Sequence, residues 1–212
     1  MSDVIVLYDG YSVMTGKDRM SANCSCTLIK GVNNIIVDTM TSWDAQKIIS
    51  ALRKYDVRPE NINYVISTHG HSDHIGNNNL FLKAKHIVGF SVSFEDEYYM
   101  HPFDKGEEFK IDDNVKVIPT PGHTLSDVSV IVKSSEAITI AIAGDLFERF
   151  EDIDSPNIWL EAGSEDPVQQ MKNRSKVADM VDWIVPGHGP MFEITENIRQ
   201  SLKKHLETEN TV

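Results

Sequence analysis

Thr68-His69-Gly70-His71-Ser72-Asp73-His74 puts four metal-binding side chains within six residues. Neutral imidazole is a preferred ligand of zinc, and carboxylate oxygen a harder one. The segment follows Tyr64–Ser67, a short apolar run that reads as a strand. A turn at a strand end can offer alternate side chains to one ion and the next pair to a second. Gly70 lets the backbone fold tightly there. With 8 histidines in 212 residues, three in six positions beside an aspartate is a poor match to chance.

Three more segments repeat the same grammar: an apolar strand, then Gly or Pro, then a ligand-type residue. Val117-Ile118-Pro119-Thr120-Pro121-Gly122-His123 ends in histidine, Ile138 to Ala143 runs through Gly144 to Asp145, and Ile184-Val185-Pro186-Gly187-His188 ends in histidine. Either of these histidines alone reads as a satisfied turn residue. Strand ends converge on one edge of a sheet, so together they can meet the first cluster.

Outward from these motifs the chain shows no repeat or linker and reads as one domain over residues 1–212. Strands are predicted at Val4–Leu7, Cys24–Ile29, Ile35–Asp38, Tyr64–Ser67, His86–Gly89, Val115–Ile118, Asp127–Val132, Ala137–Ala143 and Trp183–Val185. Tyr8–Asn23 reads as a long loop or hairpin. Helical spacing marks Trp43–Tyr55, capped by Ser42 or Asp44, and Thr195–Glu207. A third helix, Asp166–Ala178, has Asp166 as cap and Pro167 at its first position. Strands with interspersed helices suit a layered α/β sandwich. Cys24 and Cys26 read as two small buried strand residues, a metal or redox role being the alternative.

The composition is that of an ordinary globular protein, with 41% apolar and 25% charged residues. No apolar run reaches the length of about 18 residues that spans a membrane, and the first residues lack a secretory pattern, so a cytoplasmic or nuclear protein is expected. The net charge of −12 is unlike the basic surface that grips long polyanions.

The pattern His-x-His-x-Asp-His, followed by His, Asp and His on strand ends, resembles the metallo-β-lactamase superfamily across residues 68–189. The resemblance implies an αββα four-layer sandwich with metals at one edge of two sheets. Carried over by motif, His69, His71 and His123 hold one metal, Asp73, His74 and His188 a second, and Asp145 bridges them. Two Zn2+ ions are implied. Such a pair generates a nucleophilic hydroxide near neutral pH, and Asp73 would orient it as the catalytic carboxylate.

Departures narrow the branch. Zinc β-lactamases usually carry cysteine where Asp145 stands, and flavodiiron proteins carry glutamate where His71 stands. Only 24 residues follow His188, too few for the C-terminal domain of the glyoxalase II type. Asp127-Val128-Ser129-Val130, Ala143 to Arg149, and Ser164-Glu165-Asp166-Pro167 resemble a branch regarded as endoribonucleases of histone pre-mRNA 3′ ends. RNA is therefore the expected substrate. Thioester or small-ester hydrolysis, and a mononuclear iron (one Fe2+) persulfide dioxygenase, are the alternatives.

A basic path for RNA would draw on Lys17, Arg19, Lys30, Arg149, Lys172 or Arg174, unless these are merely solvated surface. Glu148 and Arg149 are expected to support a ligand from behind or to form a buried ion pair. Trp159 would pack or stack a base, and Thr124 would hydrogen-bond a ligand. The aromatic segment Phe90–Phe103 and the resemblance suggest a homodimer.

Overall fold

The computed structural model describes residues 2–209. The first sheet has seven strands: β1 (Asp3–Tyr8), then, after a separate hairpin of β2 (Tyr11–Gly16) and β3 (Arg19–Asn23), β4 (Cys26–Lys30), β5 (Ile35–Val37), β6 (Tyr64–Ser67), β7 (Lys85–Val88), β8 (Ser91–Phe94) and β9 (Glu97–Tyr99). The second follows chain order through six: β10 (Phe109–Lys110), β11 (Val115–Pro119), β12 (Val128–Lys133), β13 (Thr139–Gly144), β14 (Trp183–Pro186) and β15 (Phe192–Glu193). β5, β6 and β7 pair in parallel, as do β13 and β14, and the remaining pairs are antiparallel.

Apolar residues cover both faces of the central strands, so they read as continuous apolar runs rather than alternating ones. Ile35 and Val37 face the second sheet, where Val117, Val130 and Ile142 meet them. Their neighbour Ile36 points the other way, onto Ile48 and Leu52 of α1 (Ala45–Arg53). In the second sheet Ala141 and Ile184 pack outward against Val177, Ile198 and Leu202. Those three belong to α4 (Pro167–Met180) and α5 (Glu196–Glu209). Two shorter helices, α2 (Ser72–Ile75) and α3 (Asn157–Glu161), flank the strand ends. This is the αββα sandwich the resemblance implies. Each fully buried Ile or Leu contributes about 1.5–3 kcal/mol, so the helices are held by their apolar faces.

Most expected elements are present within a residue or two, and Tyr8–Asn23 is the hairpin. Asp166 caps α4 as expected, accepting from the Gln169 backbone N–H at 3.0 Å. The cap expected for α1 is different. Asp44 stands at the N-cap without capping, because its carboxylate accepts from Asn23 Nδ2 (2.8 Å) and Thr41 Oγ1 (2.6 Å). Cys24 and Cys26 are free and buried in one apolar cluster, the packing role expected.

Candidate metal centre

The segment after β6 changes conformation partway, and this separates two groups of donors. His71 is extended (φ −66°, ψ 150°), so His69 and His71, two apart, share a side. From Ser72 the chain turns into α2, which swings Asp73 and His74 to another. Asp145 and His188 follow β13 and β14, parallel neighbours whose ends lie on the same edge. His123 comes from the loop after β11, beside β12.

All seven side chains expected at the site converge. Donor atoms of His69, His71, His123 and Asp145 lie within 4.8 Å of one another, and so do those of Asp73, His74 and His188. Asp145 sits between the groups. Its Oδ2 is 3.3 Å from both His123 Nε2 and His188 Nε2, and its Oδ1 is 3.2 Å from His74 Nε2. His123 Nε2 also faces His71 Nδ1 at 3.1 Å. Two glycines make room. Gly144 has φ +53°, where a side chain is strained, and a Cβ at Gly187 would overlap the Asp145 carboxylate.

The donor set fits divalent metal ions. His69 Nε2, His74 Nε2, His123 Nδ1 and Asp145 Oδ1 are buried without a hydrogen-bond partner. Buried polar atoms nearly always have one, and four such atoms in one cluster are accounted for by cations.

Charge within the cluster is uneven. Burial lowers the pKa of His69, and the neighbouring His74 lowers it further. Burial also opposes protonation of His74, but the Asp145 and Asp38 carboxylates outweigh it and the net shift is upward. For His188, burial is outweighed by Asp145, which raises it to about 9. Burial would raise Asp145, yet His74, His188 and His69 hold it well below the usual carboxylate range.

Two supporting acids were not anticipated. Asp38 Oδ2 lies 3.0 Å from His74 Nδ1 and accepts from Thr68 Oγ1 at 3.0 Å, while Oδ1 accepts from the Thr68 N–H at 2.8 Å. Such a bond leaves Nε2 of the imidazole for a metal. Asp127 lies 3.9 Å from His69 Nδ1, and burial raises its pKa to about 7. A signal existed for Asp38: it ends an apolar strand, the grammar that exposed Asp145. His188 Nδ1 is positioned by the carbonyls of Asn23 (3.1 Å) and Tyr11 (3.2 Å) on the hairpin.

Three expectations around the site are corrected, and a fourth residue, Trp159, takes the packing role expected of it. Arg174 cannot lie on a basic surface path. It is buried, bonding Asp152 at 2.5 and 3.0 Å and the Leu146 carbonyl at 2.9 Å. Arg149 forms no pair with Glu148; it donates to the Ser12 carbonyl at 3.0 Å and approaches Glu151 at 3.9 Å. Thr124 is occupied by Asp127, to which its N–H and hydroxyl donate at 2.6 and 2.9 Å. Trp159 is buried against the Arg174 guanidinium, 5.2 Å away, so it packs rather than stacks a base. Glu148 is buried beside the donors of Asp145 and His188. Burial, reinforced by Asp145, raises its pKa to about 8. It also lines a cavity of about 190 Å³ with Arg149, Met14, Met20 and Ile158.

The pattern of the Metallo-beta-lactamase superfamily matches residues 22–188. The chain belongs to this superfamily. Among relatives within it, metallo-beta-lactamase domain-containing protein 1 of Xenopus laevis is 39% identical over 196 residues, covering 92% of this chain and 82% of that protein. The human protein of the same name is 39% identical over 168 residues, and this chain spans 62% of its length. Among solved structures, a Thermotoga maritima protein aligns at TM-score 0.66 and 20% identity, covering 91% of this chain and 99% of that one. An N-acyl homoserine lactone hydrolase, with its product at the catalytic metal centre, aligns at TM-score 0.58 and 16% identity over 84% of this chain and 87% of that one. At such identities these structures establish the metallo-β-lactamase fold alone. Membership places the chain in a superfamily of metallo-hydrolases.

Proposed function

We propose that the chain is a dinuclear zinc hydrolase that cleaves phosphodiester bonds in RNA. The observation that carries the hydrolase reading is Asp145, whose two oxygens face His123 and His188 on one side and His74 on the other. In this reading His69, His71 and His123 would hold one zinc and Asp73, His74 and His188 the other, with the Asp145 carboxylate available to both groups. The chemistry so supplied is activation of a water and stabilisation of charge on the attacked centre.

Asp73 orients the attacking water. Its carboxylate is 18% exposed against 5% for Asp145, and stands 3.8 Å from His188 Nε2 and 3.9 Å from His74 Nε2. Asp73 is therefore the acid that reaches solvent, and a carboxylate there accepts the proton. His71 is likewise exposed while the other imidazoles are buried, so substrate enters over His71 and Asp73. RNA as substrate is supported by the resemblance carried in Ala143 to Arg149 and Ser164 to Pro167.

A small ester or thioester is the second reading. The cavity beside Glu148 is lined by Met14, Met20 and Ile158 with one cation, Arg149, and the chain carries a net charge of −12. The deciding experiment gives zinc-loaded protein single-stranded RNA and S-lactoylglutathione in parallel. RNA cleavage that disappears in Asp73→Ala and His188→Ala is expected. Intact RNA with rapid thioester hydrolysis overturns the ribonuclease reading, and one iron per chain with oxygen uptake overturns the hydrolase.

A further inference from the structure

Glu148 belongs to none of the seven motif positions, yet it is 3% exposed and its carboxyl makes no hydrogen bond or ion pair among the described residues. Its backbone is fully engaged. The N–H donates to Asp152 Oδ2 at 2.7 Å, and the carbonyl accepts from His188 N–H at 2.8 Å. Asp152 is in turn fixed by the buried Arg174. The backbone of Glu148 is thus tied to His188 itself and to a buried ion pair. No donor among the described residues satisfies the carboxyl, which borders the flanking cavity with Arg149 and Met20, so it is free to meet a cation from the side of Asp145 and His188.

The carboxyl oxygen, Asp145 and His188 place one donor atom each within 4.8 Å of one another. Asp145 Oδ1 is itself buried without a hydrogen-bond partner. We infer that Glu148 is an additional ligand of the second metal position, alongside Asp73, His74, His188 and Asp145. This rests on the dinuclear reading proposed above and changes its chemistry. The first position would then have three imidazoles and one carboxylate, a set that suits zinc. The second would have two imidazoles and three carboxylates, more donors than tetrahedral zinc uses. Oxygen-rich sets with five or more ligands suit a harder cation such as Mn2+. The two positions would therefore discriminate between metals, with zinc at the first and manganese accepted at the second.

The experiment loads the full chain with one equivalent of Zn2+ and titrates Mn2+, following bound ion by electron paramagnetic resonance and total metal by mass spectrometry. Glu148→Gln keeps the shape and removes the charge, and Glu148→Asp keeps the charge on a shorter arm. Circular dichroism and the first Zn2+ affinity report the fold and the first position. The expected result is one Mn2+ per wild-type chain, weakened at least tenfold in Glu148→Gln, less in Glu148→Asp, with the first Zn2+ unchanged. Unchanged Mn2+ affinity in Glu148→Gln overturns the assignment. If that variant instead loses hydrolysis with both metals retained, Glu148 is a substrate contact and the assignment also fails. A wild-type chain that binds a single cation in total overturns the dinuclear reading and this inference with it. Two cations bound with no effect of Glu148 overturns this inference alone.

Discussion

Asp38→Asn is the sharpest test of how the second group of donors is held. Asp38 is buried and accepts three contacts: the Thr68 N–H (2.8 Å), the Thr68 hydroxyl (3.0 Å) and His74 Nδ1 (3.0 Å). Its backbone sits at φ +57°, a conformation asparagine tolerates better than most residues, so the substitution is nearly isosteric and should fold. The amide has one acceptor and one donor end. With its oxygen toward the Thr68 N–H, its NH2 faces His74 Nδ1. The imidazole must then present a lone pair at Nδ1 and carry its proton on Nε2, the atom 3.2 Å from Asp145. With the amide reversed, its NH2 opposes the Thr68 N–H. Either way one donor faces another, or His74 is left in the wrong tautomer for binding through Nε2. A hydrogen bond to a charged group contributes about 1.5–3 kcal/mol, and each 1.4 kcal/mol is about tenfold in affinity. The second cation should therefore bind roughly 10- to 100-fold more weakly, the range typical of such supporting partners. The first, held by His69, His71 and His123, should change little. Stepwise Co2+ titration followed by d–d absorption separates the two events. Two cations bound with wild-type affinities in Asp38→Asn would refute the reasoning.

Protonation should couple to metal uptake. His188 is raised to about 9 by Asp145, so below that pH a cation must displace its proton. Affinity should rise with pH between about 6 and 9, and calorimetry in buffers of different ionisation enthalpy should show proton release at pH 7; a flat profile contradicts this. Arg174→Met leaves the Asp152 carboxylate buried opposite a neutral side chain, and should cost about 3–5 kcal/mol in urea unfolding, whereas an exposed ion pair would cost about 1 kcal/mol or less. Gly187→Ala should fold but lose bound metal, because the added methyl overlaps the Asp145 carboxylate; full metal content would show that the strand end can shift. Ile142→Ala removes a buried side chain between the sheets and should cost about 2–5 kcal/mol with metal affinity intact.

The site was legible in the sequence because its ligands cluster just past strand ends, His123, Asp145 and His188 after apolar runs that stop at Gly or Pro, and the remaining four in the dense motif after β6. Those runs fix both the fold and the address of the ligands. Other features depend on contacts remote in sequence. β8 and β9 were absorbed into the aromatic stretch Phe90–Phe103, since two short strands after Gly89 lack a clean alternation. Arg174 read as a surface cation because helix α4 shows only weak apolar periodicity, yet it is buried over the Phe147 ring, 4.3 Å away. Its partner lies 22 residues earlier, a separation that no local pattern reveals. Asp44 shows the same effect in reverse: a good capping residue is drawn off its helix by Asn23, 21 residues away.

The misplacement of Arg174 also bears on substrate. With that cation paired inside the protein, Arg149 is the candidate cation lining the cavity beside Glu148, and it is already committed to the Ser12 carbonyl of the hairpin at 3.0 Å. The same hairpin holds His188 Nδ1 through Tyr11 and Asn23. It also contributes exposed Met14 and Met20 to the wall of the flanking cavity. Hairpin position, cavity shape and His188 orientation are thus one mechanical unit. A substrate that displaces Arg149 from Ser12 would reach the ligand shell through β2 and β3. Arg149→Lys keeps the charge but loses the planar fork. It should therefore raise KM for RNA several-fold with kcat little changed if Arg149 meets a phosphate. If Arg149 only anchors the hairpin, kcat and metal affinity should fall together through His188, and its role would then be positional.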